Sequence, residues 1–566
     1  MTESEELGAL AKVLTFDLTS RPWIPVLDED GAQDELSLRD VFARAGELRG
    51  VVGDLPTQEF ALVRLLLAVA HDALQGPRDT EHWVQLWADE DCFAPVAAYL
   101  DGHRERFDLL HPRTPFFQVA QLRTVRDEVF SLNRIVADVP NGEPFFSSRM
   151  PAVERLSFAE AARWVVHAHA YDTSGIKTGI DGDGRVKGGK VYPLGVGWAG
   201  ALGGVLAEGE TLRQTLLLNL VAADTSGVRF SREDAPAWRH KPCGPGPSGR
   251  TRPAGVRDLY TWQTRRLRLR FDSDGAYGVV LGYGDPLAPH NMQGAEPMTA
   301  WRRSPAQEKK RGEPVVYLPR EHDPDRSTWR GIEALVVGRA EAAQGSEAAK
   351  VLRPGILEWI ARLVTEGELP RGFLIRARVV GAVYGTQQSV IDEIVDDRLA
   401  MAVVLLHQQD RAYARQAIDA VGEAERAVTA LGDLATDLAR AAGRESEGPR
   451  SAARSLGFAA LEGPYRVWLR DLATAEDPDA HRTRWQQDTY RHLRQLGERL
   501  MSEAGNAAWE GRVVAAKKGS EWLNSALAEK WFLIHLSKAL SDPYSFDRAP
   551  GDGSARGPNC SSEVPA

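Results

Sequence analysis

A run of neutral hydrogen-bonding side chains, Thr-Gln-Gln-Ser at residues 386–389, is the segment whose chemistry most directly suggests a function. It follows Gly385, and a glycine lets the backbone turn sharply. Amide side chains on such a turn can enter a nucleic-acid groove, or can separate two stacked bases. An ordinary exposed loop has the same composition, so the run by itself leaves both interpretations open.

A group of carboxylates follows this run and suggests a different chemistry. Its members are Asp392, Glu393, Asp396 and Asp397. Closely spaced acids can hold divalent cations for phosphodiester hydrolysis, so a metal-dependent nuclease using Asp392 and Asp396 is the alternative function. The same spacing is also typical of a helix start, where acids suit the helix dipole. Because no P-loop, GxSxG or HExxH motif is present, we expect a binding protein with no catalytic residue, metal or cofactor.

The charge distribution favours a contact with nucleic acid that depends on partners. The net charge is -10, whereas a protein that binds DNA by itself usually carries a basic excess. Positive residues are nevertheless concentrated at 239–270, where Asp258 is the only acid, and again at 302–311. We therefore expect a basic face on an acidic body, with segment 250–270 guiding duplex DNA while partners supply most of the affinity.

The elements that must position these residues change in type once along the chain. Up to about residue 380, helix-like segments mix with short strands such as 259–271, in which leucine alternates with arginine. Beyond that, four segments show apolar residues at helical spacing. The pattern predicts an α+β protein. It has a large mixed α/β domain at 1–385, a four-helix bundle at 386–545 and a disordered tail at 546–566.

Composition is consistent with an ordinary globular protein. The 566 residues are too many for one core, and 43% hydrophobic and 26% charged residues are usual values. Three widely separated cysteines favour neither a disulfide framework nor a structural zinc site. No apolar run approaches the roughly 20 residues that span a bilayer, and the first residues do not form a signal peptide. We expect a soluble, cytoplasmic protein with no membrane partner.

Six segments spread along the chain carry the signatures of a known family. They are 16–26 (FDLTSRPWIPV), 36–48 (LSLRDVFARAGEL), 106–118 (RFDLLHPRTPFFQ), 212–220 (LRQTLLLNL), 259–269 (LYTWQTRRLRL) and the loop 384–389. With these segments the chain resembles the CasA family, the large subunit of the type I-E CRISPR surveillance complex Cascade. The resemblance extends over roughly residues 14–545. The architecture of that family, a large mixed domain followed by a helical bundle, agrees with the pattern described above.

The resemblance implies a specific set of partners. These are the other Cascade subunits, the CRISPR guide RNA, double-stranded target DNA and a recruited helicase-nuclease. A subunit of this kind recognises the PAM, a short tag in the DNA, mainly from the minor groove. It opens the duplex so that the guide can pair with one strand, and it later provides the docking site for the helicase-nuclease. Because the minor groove distinguishes base pairs poorly, such a subunit should accept several PAM sequences.

Three DNA-contacting elements of the family can be placed on this sequence. The glutamine wedge, which splits the first base pairs, falls on Gln387 and Gln388 with Thr386 and Ser389 beside them. The glycine loop, whose backbone lies against the PAM, falls on Ser174, Gly175, Lys177, Thr178 and Gly179. Lys177 and the long segment 181–189 depart from the tightest version of that loop. The lysine finger aligns with His290 or Asn291, so either another basic residue replaces it or the alignment slips.

A further loop of the family lies near the guide RNA and the neighbouring backbone subunit. It matches residues 139–150, with Phe145, Phe146 and Ser148 at the contacting positions. An aromatic ring there could stack on an exposed base, although Phe145 and Phe146 could equally pack in a core. Some relatives carry a cysteine-rich insert that binds zinc, and we do not expect one here because Cys243 is isolated.

Overall fold

The computed structural model describes residues 14–137, 153–225, 227–338, 348–409, 411–516 and 519–540. The chain divides into two compact units, Met1–Arg411 and Ala412–Ala566. No helix within the described ranges is both long enough and apolar enough to cross a membrane.

The first unit mixes helices and antiparallel strands. Its helices are α1 (Leu38–Ala43), α2 (Pro56–Leu74), α3 (Thr80–Ala88), α4 (Pro95–His103), α5 (Phe158–Tyr171), α6 (Leu212–Asn219), α7 (Val256–Tyr260), α8 (Pro305–Arg311), α9 (Glu333–Val336) and α10 (Gly355–Glu366). Its strands are β1 (Ile24–Asp28), β2 (Gln33–Leu36), β3 (Leu48–Val51), β4 (Lys177–Thr178), β5 (Lys190–Val191), β6 (Gly204–Glu208), β7 (Arg265–Asp272), β8 (Gly275–Tyr283), β9 (Trp301–Arg303), β10 (Tyr317–Pro319), β11 (Val351–Leu352), β12 (Leu374–Tyr384) and β13 (Ile391–Ala402).

Local signals explain where the main helices begin. Ser157 caps α5 by accepting a hydrogen bond from the backbone N–H of Glu160, and Pro56 occupies the first turn of α2, where its missing N–H costs nothing. α2 is buried around almost its whole circumference and contacts α5, α7 and β12. It is therefore the central helix of this unit.

The strands form small antiparallel sheets, of which one carries the 386–389 run. In it, β12 lies between β13 and β6. β12 and β13 form a long hairpin, in which Ile375 lies opposite Met401 and Val379 opposite Asp397. Ile375 and Met401 are fully buried, whereas the hairpin turn at residues 386–388 is exposed. The run is therefore presented by a buried sheet and not by a free loop.

The second unit contains four long helices. They are α11 (Ala412–Ala442), α12 (Glu447–Asp471), α13 (Pro478–Glu503) and, after the short α14 (Asn506–Glu510), α15 (Ser525–Ala539). α11 contacts α12, α13 and α15. The aromatic rings of Tyr465, Trp468 and Trp485 pack together between α12 and α13. The predicted α+β class with a C-terminal four-helix bundle is confirmed.

Two details differ from the sequence-based expectations. Residues 390–397 resemble a helix start in sequence, but β13 (Ile391–Ala402) occupies this region, and it pairs with β12 throughout. The compact units consequently divide at Arg411/Ala412 and not at residues 385/386. The second unit also contains a hairpin of β14 (Arg512–Ala516) and β15 (Gly519–Leu523) that the sequence pattern did not reveal. Acidic residues on β13 hid the strand pattern, because their burial depends on partners from other strands. The tail predicted at 546–566 lies outside the described residues.

Candidate nucleic-acid interface

The turn between β12 and β13 holds two glutamines in an unusual backbone conformation. Gln387 has φ 56° and ψ 20°, and Gln388 has φ 56°. Residues other than glycine adopt this left-handed region at a cost of roughly 1–2 kcal/mol each. The Gln388 N–H donates to the carbonyl of Gly385 at 2.8 Å, and both glutamine side chains are exposed. The turn therefore presents two amides to solvent from a fixed backbone, as strained functional turns often do.

This turn is joined to the predicted glycine loop by a backbone hydrogen bond. The Ser174 N–H donates to the Gln388 carbonyl at 2.7 Å. The buried Ser174 hydroxyl in turn accepts from the Gly195 N–H at 3.0 Å. At the base of the turn, the Tyr384 hydroxyl donates to the Tyr171 carbonyl at 2.8 Å. Two segments that are far apart in sequence therefore form one surface.

The two glycines of that loop have different structural roles. A Cβ at Gly175 would meet no atom within 4 Å, so the backbone there faces open space. The Gly175 carbonyl accepts a hydrogen bond from the Tyr283 hydroxyl at 2.7 Å. A Cβ at Gly179 would instead lie 2.6 Å from Cγ1 of Val186, so Gly179 is needed for packing. Thr178 pairs with Lys190 in the β4–β5 hairpin. Among these residues, Gly175 is the one whose backbone a ligand could approach closely.

Lys177 does not suit the DNA-contacting role that its position predicted. It is 7% exposed, and its Nζ lies 2.7 Å from Oδ2 of Asp172. The same carboxylate oxygen pairs with Nε of Arg265. Burial and the neighbouring Arg265 lower the pKa of Lys177 to about 8. Burial would raise the pKa of Asp172, but Lys177 and Arg265 hold it below its usual value. Lys177 therefore anchors the glycine loop from inside the protein.

Asn291 is also occupied by internal hydrogen bonds. Its Nδ2 donates to Oε2 of Glu313 at 2.9 Å and to the Val315 carbonyl at 3.1 Å. Its Oδ1 accepts from the Tyr317 N–H at 2.7 Å. With φ 52°, Asn291 sits in the left-handed region that asparagine tolerates better than most residues. The amide thus fixes β10 and is not available as a minor-groove finger.

Next to Asn291 the structure brings together positive residues from the two basic segments of the sequence, 239–270 and 302–311. Nη2 of Arg252 and Nη1 of Arg311 both approach Nε2 of His290, at 2.7 and 3.1 Å. Burial and these two guanidinium groups lower the pKa of His290, so the ring accepts as a neutral imidazole. The exposed Lys309 and Lys310 lie on the same short helix as Arg311. We call Arg252, Arg311, Lys309 and Lys310 the basic cluster. No sequence signal links Arg252 with α8, because only the fold brings them together.

Most of the arginine-rich segment faces inward, which contradicts its expected role in guiding duplex DNA. Arg265 and Arg266 are 2% and 1% exposed. Six ion pairs join arginines in or beside the segment to Asp258 or to acids from other parts of the chain. The pairs are Arg239–Asp72, Arg250–Asp258, Arg257–Asp72, Arg257–Asp234, Arg265–Asp172 and Arg266–Asp285. The apparent basic excess is therefore mostly neutralised by acids that are distant in sequence.

The acidic group on β13 is arranged for ion pairing. Asp396 accepts from Nε of Arg378 at 2.7 Å and lies 3.3 Å from Nη1 of Arg398. The Asp392 carboxylate lies beside Gly385, where it would block a Cβ. Within the described ranges, no group of three or more His, Cys, Asp or Glu residues is placed to hold a metal ion. The geometry gives the nuclease alternative no support. Phe145, Phe146 and Ser148 lie outside the described residues.

Comparisons of the sequence and of the structure with known proteins identify the same family. A sequence profile of the family described as CRISPR-associated protein Cse1 matches residues 17–496. The crystal structure of Thermobifida fusca Cse1 is 56% identical, with a TM-score of 0.86 over 93% of this chain and 98% of that chain. A CasA/Cse1 protein of Thermus thermophilus is 30% identical over 363 residues, which are 61% of this chain and 63% of that protein. The alignment thus spans less than two thirds of that relative's length.

A more distant likeness concerns the fold alone. A chain in a structure described as a CRISPR RNA-guided surveillance complex has a TM-score of 0.59 and 18% identity, over 87% of this chain and 99% of that chain.

Proposed function

The chain belongs to the Cse1 (CasA) family, and from this we propose that it is the non-catalytic large subunit of a type I-E CRISPR Cascade complex. In this role it recognises the PAM of double-stranded DNA from the minor groove and wedges the duplex open beside it. It works together with the other Cascade subunits and the guide RNA, and it later docks a helicase-nuclease. The observation that carries the proposal is the hydrogen bond between the Ser174 N–H and the Gln388 carbonyl.

That hydrogen bond matters because it couples two different kinds of contact. Gly175, one residue beyond Ser174, has an open backbone that could lie against base edges in a groove only about 6 Å wide. Gln387 and Gln388 extend from the other side of the bond and could enter between base pairs. Separating a base step costs a few kcal/mol. A turn anchored to a buried sheet loses less conformational entropy on inserting than a flexible turn would, so more of its binding energy is left to offset this cost.

Positive charge beside this surface supports a contact with the DNA backbone. β10 connects the two regions, since Tyr317 is hydrogen-bonded to Asn291 and Pro319 lines the same cavity as Gln388. The basic cluster therefore takes the place of the missing lysine finger in our proposal, with Arg311 and Arg252 as the residues nearest Asn291. The overall charge of -10 agrees with a subunit whose partners provide most of the affinity for DNA.

The proposal is tested with the double variant Gln387→Ala/Gln388→Ala in the assembled complex. We expect guide-complex assembly to be unchanged and strand opening on linear DNA to be about ten- to a hundredfold slower, since an interaction worth about 1.4–2.8 kcal/mol would be lost. Negative supercoiling, which favours opening, should restore most of the rate.

The matched control is Gln33→Ala, which removes an exposed amide from β2 without touching the interface. Its opening rate should equal that of the parent. Equal opening rates for the double variant and the parent on linear DNA would remove the wedge assignment.

A further inference from the structure

A groove that contains the guanidinium of Arg320 lies directly beside the glutamine turn. It consists of two adjoining cavities of about 280 and 220 Å³, which share Arg320, Glu321, His322 and Val395. Gln388 lines the first cavity, together with Tyr384 and Pro319. The floor is formed by β12, through residues such as Val379 and Gly381. Each cavity is close in size to the small-molecule sites of proteins, which start at roughly 300 Å³.

Arg320 is the charged group that distinguishes this groove. Burial and the nearby Arg326 lower its pKa. Glu333 is near enough to favour its charge, but among the described residues no carboxylate forms an ion pair with its guanidinium. The more deeply buried Arg265 and Arg378 of this unit do have such a partner. A partly buried cation without a counter-charge is stabilised by an anion that enters the groove.

His322 provides a flat, uncharged surface next to that cation. A Cβ on Gly203 would lie 3.2 Å from the imidazole, and one on Gly381 would lie 3.0 Å from it. The two glycines therefore let the ring lie close to the sheet. Burial and the neighbouring Arg320 lower the pKa of His322 to about 4, so the ring is neutral at pH 7. A neutral aromatic ring offers a base a stacking surface without adding charge.

Two acids, Glu321 and Asp323, also line the groove. Glu321 is largely exposed, and its carboxylate lies 3.9 Å from Nη2 of Arg302. Oδ1 of Asp323 accepts from the Asp325 N–H at 3.0 Å. Arg326, at the far cavity, donates to the Arg330 carbonyl at 2.7 Å. Arg320 is the cation that lines the same cavity as Gln388, whereas Arg326 lines only the far cavity.

We propose that this groove binds the first unpaired deoxynucleotide of a strand that the glutamine turn has separated, with Arg320 on its phosphate and His322 against its base. This inference rests on the proposed function and deepens it. Once a base step is opened, an unstacked base and its phosphate lie beside Gln388. Capturing them there offsets part of the cost of opening and prevents the duplex from closing again.

The experiment uses the assembled complex with a target whose base pairs next to the PAM are mismatched, so that the strands are already separate. Arg320→Gln should bind this bubble target about tenfold more weakly than the parent, a difference of about 1.4 kcal/mol. It should also lower the slope of log K against log salt by about 0.7, because one phosphate contact on a single strand is lost. Arg49→Gln removes an exposed charge on β3 outside the groove and serves as the control. It should change neither value.

A second measurement follows the base itself. 2-Aminopurine is placed at the first unpaired position of either strand, and its fluorescence should fall on binding to the parent because the base stacks. With His322→Ala this quenching should be lost in at least one strand, although the variant still assembles. Unchanged quenching in both strands would overturn the role of His322.

The bubble target also separates this inference from the proposed function. The Gln387→Ala/Gln388→Ala variant should recover parental binding on the bubble, where no wedge is needed. If the double variant still bound the bubble target more weakly than the parent, that result would count against the wedge assignment alone. Full recovery of Arg320→Gln on the bubble would overturn the groove assignment and leave the wedge intact. Loss of complex assembly by Arg320→Gln before DNA is added would also overturn it, because the groove would then hold RNA or another subunit.

Discussion

Asp172→Asn and Lys177→Met should have very different effects on stability, because one carboxylate serves two buried cations. Asp172 pairs with both Lys177 and Arg265. Its replacement by Asn leaves both cations uncompensated, and breaking a buried pair in this way costs about 3–5 kcal/mol. Replacement of Lys177 by Met leaves Asp172 paired with Arg265 and removes a cation that burial disfavours. We expect that variant to lie within about 1 kcal/mol of the parent at pH 7.

The pH dependence follows from the pKa of Lys177, which is about 8 in the folded protein and 10.5 as its ordinary value. Between these values the unfolded chain holds a proton that the folded protein has released. Unfolding therefore takes up a proton, and the stability contributed by this group rises with pH through that window. The parent should gain stability relative to Lys177→Met by about 1.4 kcal/mol per pH unit at most, starting near pH 8.

The assay is urea unfolding of the full chain at pH 7 to 10, combined with hydrogen exchange of amides 174–179, which reports the glycine loop directly. Two compact units make a single unfolding free energy unreliable, so the local exchange rates decide the outcome. Equal destabilisation by the two variants would refute the shared-carboxylate reasoning. Weaker DNA binding by Lys177→Met at unchanged stability would show that Lys177 contacts DNA, as its sequence position first suggested.

Two further predictions concern groups held inside each unit. Asn291→Ala loses three hydrogen bonds and a residue suited to positive φ. Hydrogen exchange at the Tyr317 amide should therefore accelerate by at least tenfold. Unchanged exchange combined with weaker DNA binding would instead make Asn291 a DNA ligand. Glu423→Ala removes the fully buried partner of Arg482 in the bundle and should lower by about 3 kcal/mol the local stability that hydrogen exchange of the bundle reports. Arg499→Gln removes an exposed pair and should leave this exchange nearly unchanged, and equal effects of the two variants would contradict the burial argument.

Regular periodicity made several elements predictable from sequence. Apolar residues at helical spacing predicted the long helices of the second unit, and Leu267 and Leu269 marked a strand correctly. A helical pattern is reliable where one face of the helix is buried, because the sequence alone then records the orientation of the helix. In β7 the arginine face is buried as well, since Arg266 and Arg268 are 1% and 8% exposed, and the alternation did not predict this. The sequence pattern did not predict the strand β13. Asp396 on this strand is partly buried by Arg378 of β12, and a partner on another strand is invisible to a local pattern.

The candidate site likewise combines features that the sequence predicts with features that depend on the fold. Gln387 and Gln388 could be selected from sequence because their type and their position after Gly385 suit a turn. The left-handed backbone of both glutamines and the hydrogen bond between Gln388 and Ser174 could not be predicted from sequence. They depend on the β12–β13 pairing and on the packing of Tyr384. Lys177 and Asn291 were chosen by alignment, and the fold gives both of them internal partners.

The sequence by itself determined the family, the α+β class and the turn that presents two amides, because each depends on residues that are neighbours in the chain. Tertiary structure decided which charges remain available to a ligand. Several arginines that look like a basic patch in the sequence become internal ion pairs, whereas Arg320 forms no ion pair with a carboxylate in the described part of the chain. The reason is that electrostatic energy depends on distance in space and on burial, and a sequence specifies neither until the chain has folded.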